Sequence, residues 1–135
     1  VSADRFTYRI DELPRLQPAR GFHWSLEAKY RKVWHALVRC AVGNERPEKP
    51  LEHALITLVR HSRLEPDPDN MWASWKPVVD GLVRARVLVD DSPANAALHS
   101  RWERTPGKGF IVVSVYGPDA FDLPVADPTP AQVIE

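Results

Sequence analysis

The chain of 135 residues carries 18 Lys and Arg against 18 Asp and Glu, with 44% hydrophobic and 27% charged residues. That balance excludes a disordered, collagen-like or disulfide-stapled chain, and the size supports one soluble domain built on one core. No apolar run approaches the roughly 20 residues of a membrane span, and the opening Val1-Ser2-Ala3-Asp4 has no basic then apolar leader, so a cytoplasmic protein is expected.

Arg5 to Ile10 alternates, with Phe6, Tyr8 and Ile10 on one face, and predicts a half-buried strand. Leu13 to Gly21, broken by Pro14, Pro18 and Gly21, reads as a loop. From Trp24 the apolar positions Leu26, Tyr30, Val33, Trp34, Leu37, Val38 and Ala41 recur at steps of three and four, with Gly43 after them, which predicts a helix. The lone Cys40 falls in that pattern and reads as a small buried side chain. Glu45 to Pro50 is a second loop, and Ala54 to Leu64 is a well-buried strand whose end turns polar at Arg60.

Trp72, Trp75, Val79, Leu82, Val83 and Arg86 have helical spacing, with Asp69 or Asn70 suited to cap the helix. Pro77 either kinks that helix or opens a shorter one near Lys76. Val87 to Val89 predicts a short strand. Ala97 to Glu103 and Phe110 to Tyr116 read as the arms of a hairpin turned at Thr105 to Gly109. Beyond Gly117 the chain is rich in proline and acid and lacks periodicity, so residues 118–135 are expected to be a tail and residues 1–117 the domain. The order predicts an α+β fold, a mixed sheet with two main helices.

The neutral sum hides an uneven distribution. Asp119, Asp122, Asp127 and Glu135 lie in the tail, which has no Lys or Arg, so residues 1–117 carry 18 basic and 14 acidic groups, a net of +4.

The informative segment for chemistry is Glu65-Pro66-Asp67-Pro68-Asp69-Asn70. In extended chain, alternate side chains share a side, and each proline biases the residue before it toward extension. Asp67 and Asp69 are therefore expected to converge, and paired hard oxygen ligands suit Mg²⁺ or Mn²⁺. The plain alternative is a turn that caps a helix. Asp90 and Asp91 form a second acidic pair, and Lys76 and Asp80 stand four apart on one helical face. The five histidines show no paired metal spacing, and the tryptophans suit core packing, with Trp72 the exception because it flanks the acidic loop.

Taken in order, Asp67-Pro-Asp69-Asn70, Lys76, Asp80-Gly-Leu82 and Val87-Leu-Val-Asp90-Asp91-Ser-Pro resemble the core of the RusA-type Holliday junction resolvases, small phage-associated endodeoxyribonucleases. Lys76 lies further from the Asp-x-Asp-Asn step than in the family pattern, because Met71 to Trp75 intervene. The resemblance implies a RusA-like single domain in which Asp67, Asp69 and Asp91 ligate Mg²⁺ and Lys76 is the catalytic lysine. It implies resolution of four-way DNA junctions in recombination and repair, in a bacterial or phage-infected cell, by a homodimer that makes two symmetric nicks. The basic surplus, including Lys29, Arg31, Lys32, Arg60, Arg63 and Lys108, is then expected to track DNA phosphates. The alternative is a non-catalytic DNA-binding or phage interaction protein that keeps the fold with a damaged site.

Overall fold

The computed structural model describes residues 5–16 and 24–118. The acidic tail expected from Pro118 lies outside the described residues from 119 onward, as does the later part of the Leu13 to Gly21 loop. The elements run β1 (Arg5–Ile10), α1 (Trp24–Val42), β2 (Ala54–Ser62), α2 (Pro68–Ser74), α3 (Lys76–Arg84), β3 (Ala96–Arg104) and β4 (Phe110–Tyr116). They form one small α+β domain with a mixed four-stranded sheet of order β1-β4-β2-β3. Among the described residues, no helix is long and apolar enough to cross a membrane.

The strand periodicity sets which side chains enter the core. In β2 the residues Ala54, Ile56, Leu58, Arg60 and Ser62 are all buried, so Arg60 occupies an inward row rather than the surface. β1 places Tyr8 and Ile10 inside and pairs antiparallel with β4.

Three expectations are corrected here. The segments Ala96–Arg104 and Phe110–Tyr116 are not a hairpin: β2 lies between them, parallel to β3 and antiparallel to β4. The α2–α3 crossover returns the chain to one edge of β2, as parallel pairing requires, and residues 105–109 then arch over the end of β2, where Thr105 N–H donates to the Ser62 carbonyl at 3.0 Å. Gly109 permits that passage, since a Cβ there would stand 2.3 Å from Leu13 Cδ1. Val87 to Val89 is not a strand. It makes a single bridge, Leu51 to Leu88, although Val87 and Leu88 are buried. Cys40 is exposed, because it lies one and two heptads after the exposed Val33 and Leu26, on the outward stripe of α1.

Pro77 opens a new helix. α2 ends at Ser74, Trp75 serves as the junction, and Pro77 occupies the first turn of α3, where its missing N–H costs nothing. α2 and α3 thus share the place of the second expected helix. α1 packs on α3, with Trp34 and Val38 of the first and Val78 and Leu82 of the second in the common core, and Gly81 lets the two approach, since a Cβ there would meet Val38 at 2.8 Å.

Tyr8 ties β1 to the turn after α1 by donating its hydroxyl to the Glu45 carbonyl. Burial first, and the Glu45 charge second, push its pKa up to about 12. A raised folded pKa means that the unfolded chain loses its proton first, so this contribution is full below about pH 10 and is lost as pH rises toward 12. Alkaline unfolding is expected there, weakening the fold by on the order of 2 kcal/mol. Tyr8→Phe should lose about 1 kcal/mol at neutral pH and flatten the alkaline slope, as read from urea midpoints at both pH values.

Candidate functional site

Lys76 enters at the first position of α3, Asp80 follows one helical turn later, and Asp91 arrives from the turn before β3. The three meet. Lys76 Nζ donates to Asp80 Oδ1 at 3.3 Å and to Asp91 Oδ2 at 3.2 Å. The hydrogen bond to Asp91, then the Asp80 charge, hold the ammonium above the usual lysine range. Asp91 is held below the usual aspartate range by its hydrogen bond with the Asp80 carboxyl and by Lys76 beside it. The Lys76 side chain remains largely open to water. The cluster is therefore accessible, with an ammonium that stays charged across the physiological range.

The Met71 to Trp75 stretch that sets Lys76 further along the chain is absorbed into α2 and its junction, and Lys76 still reaches Asp91. Trp75 anchors that junction. It is 1% exposed and its indole Nε1–H donates to Ser100 Oγ of β3 at 2.8 Å.

Asp67 and Asp69 are placed differently. Helical backbone begins directly after Asp67, whose carboxylate caps α2 by accepting from Asn70 N–H at 3.1 Å. Side chains two positions apart diverge around a helix, so the same-side argument for this pair ends where the extended backbone ends. Asp69 is exposed in the first turn of α2, and Asp67 lines a separate groove at the end of β2. Among the described residues, no three acid, thiol or imidazole groups gather closely enough to hold a metal ion.

Replacing Asp67 by Ala should cost about 1 kcal/mol through the lost cap, whereas Asn caps as well as Asp. Urea unfolding of the two variants is expected to show that difference, and Asp67→Asn then isolates any role of the charge.

A groove of about 300 Å³ joins the end of the acidic step to the cluster: Asn70, Lys76 and Asp80 line it, facing Arg31 and Tyr30 of α1. Arg15 closes one wall. Its guanidinium lies over the Tyr30 ring at 4.0 Å and donates to Glu27 at 2.6 Å. Trp72, 52% exposed, lines the neighbouring groove with Lys76 and Asp91, while Trp34 and Trp75 are buried in the core.

The six expected phosphate contacts divide. Lys29, Arg31 and Lys32 are exposed on α1. Lys32 shares a cavity of about 440 Å³ with His35, Arg39 and Arg84. Burial, then the Arg84 charge, lower the His35 pKa, and its Nε2 is buried without a hydrogen-bond partner among the described residues. The Lys32, His35, Arg39 spacing was readable as one face of α1, whereas the addition of Arg84 needed the α1–α3 packing. Arg63 is exposed, and Lys108 lies 3.7 Å from Glu12. Arg60 is buried, as its strand register dictates.

No protein-family model matches the chain, and no curated protein is similar to it at a significant level. The functional reading therefore rests on the motif and on the geometry.

Proposed function

We propose that the protein is a Mg²⁺-dependent endodeoxyribonuclease with a RusA-like fold that acts on four-way DNA junctions. The observation that supports this most is the meeting of Lys76, Asp80 and Asp91, separated in sequence yet in hydrogen-bond contact, with Lys76 and Asp80 lining a groove that also holds Asn70. These are the residues that carry the motif, apart from Asp67 and Asp69.

The donor chemistry fits a hydrated Mg²⁺ on a carboxylate pair, since this ion keeps several waters and needs few protein ligands. Asp91 and Asp80 supply that pair, and Asp69 and Asp67 are further ligands only on the strength of the resemblance. When bound, the ion supplies charge neutralisation at the phosphoryl oxygens. Lys76 Nζ, protonated and exposed, is a donor rather than a base. It suits an oxygen of the scissile phosphate that gains charge as the bond to the leaving oxygen breaks. The basic face of Arg31, Lys32, Arg39 and Arg84 beside the groove suits the flanking phosphates, with binding that weakens steeply with salt.

The test is cleavage of labelled four-way and linear duplex DNA with and without Mg²⁺, using the full chain, which light scattering should show as a dimer at micromolar concentration. Paired nicks in the junction, lost in Asp91→Asn and in Asp69→Asn with binding retained in gel shift, are expected. Junction binding without cleavage in the unmodified protein would instead assign the non-catalytic alternative.

A further inference from the structure

The groove at the end of β2 carries a charge that no acid among the described residues pairs. Arg60 faces inward on the central strand, between Ile111 of β4 and Trp102 of β3 in the register, and is only 7% exposed. Its Nη1 donates to the Pro14 carbonyl at 2.9 Å. Its Nε is buried and has no hydrogen-bond partner among the described residues. None of the ion pairs among the described residues includes it. Taking a guanidinium out of water without an acid to pair it is expensive, and a well-packed apolar side chain would avoid that cost.

Arg60 lines a groove of about 520 Å³ whose other walls include Leu13, Ser62 and Gly109, with Arg63 also lining it. Glu65 and Asp67 line it too, but both are exposed, where water and salt screen their charges, and the Asp67 carboxylate is engaged by the Asn70 N–H. Arg60 sits where screening is weakest, so its charge dominates the interior of the groove. Of the two other orphaned or cationic features, the His35 cavity holds an imidazole whose pKa burial lowers, and the Lys76 cluster is already matched by two acids.

We infer that this groove is an anion site for a phosphate group, with Arg60 as its buried donor and Arg63 as a second cation at the rim. A planar guanidinium matches a tetrahedral oxyanion in forked geometry, and two such groups suit the double charge of phosphate better than a single carboxylate. The same chemistry is offered by a nucleic-acid strand and by a small phosphorylated molecule. The inference stands apart from the nuclease reading, because it needs neither a metal nor Lys76.

The test follows arginine side-chain Nε–H signals by NMR in the ¹⁵N-labelled full chain, at constant ionic strength. Inorganic phosphate is expected to shift the Arg60 signal saturably, with Arg5 and Arg9 unmoved and chloride without effect. Arg60→Met identifies the signal by its absence and should weaken phosphate binding about tenfold or more, measured by calorimetry. Its thermal midpoint should be unchanged or higher, because an unmatched buried charge has been removed. A nucleoside monophosphate and a short oligonucleotide are the other arms: saturation by the first alone assigns a small ligand, and tighter binding of the second assigns a strand. No saturable Arg60 shift with any of the three, or equal shifts at all arginines, would overturn the site even if Arg60→Met failed to fold. A stable wild type that ignores phosphate, beside a strongly destabilised Arg60→Met, would assign Arg60 to holding the Pro14 loop.

Discussion

Lys76→Met should lower junction cleavage by about 100- to 1,000-fold while leaving gel-shift affinity close to that of the unmodified protein. Among the described residues, Lys76 is the one cation in contact with both Asp80 and Asp91, and its side chain is exposed, so its removal subtracts little packing. Two carboxylates left facing each other without the ammonium repel, and one of them should bind a proton more readily than before. The residual activity is therefore expected to fall further as pH drops toward the carboxylate range. Lys76→Arg keeps the charge but brings a planar fork in place of a compact ammonium, and should recover only part of the rate. An equal loss of binding and cleavage in Lys76→Met would make Lys76 a phosphate contact and not a catalytic group.

Trp75→Ala should destabilise the fold by about 3–5 kcal/mol, a large share of the roughly 5–15 kcal/mol that holds such a domain folded. Trp75 joins α2 to α3, its side chain is almost fully buried and its indole N–H is spent on Ser100 of β3, so truncation leaves both a cavity and an unpaired hydroxyl. Trp75→Phe is the informative partner. It keeps most of the volume, should cost about 1 kcal/mol through the lost hydrogen bond, and loosens the junction that directs Lys76. Cleavage in Trp75→Phe is expected to fall more than DNA affinity, as a group that positions Lys76 requires. Urea unfolding and single-turnover kinetics on the same preparations separate the two effects.

Much of the architecture is legible along the chain, because the period of a strand or helix is a local property. The alternation in β1, the three- and four-residue steps of α1 and the i,i+4 pair of Lys76 and Asp80 all follow from neighbours within one element, whereas Pro77 allows a kink or a new helix and the structure shows the latter. The exposure of Trp72 beside the acidic loop is legible in the same way. Strand partnership is not. The turn residues at 105–109 suit a hairpin equally well, and only the helical crossover that fills one edge of β2 makes β3 its parallel neighbour and sends β4 to the other side.

The same division runs through the site. The acids at Asp67 and Asp69 were conspicuous by spacing, but that spacing has its meaning only in extended backbone, and the Asp67 cap starts a helix there instead. Asp91 meets Lys76 because the chain folds back before β3, a contact across fifteen residues that no period encodes. Arg60 looked like one more surface cation at the polar end of a strand. Its place inside follows from β2 being covered on both edges and from the inward row that begins at Ala54, so the tertiary packing turned an ordinary arginine into a buried, unmatched charge.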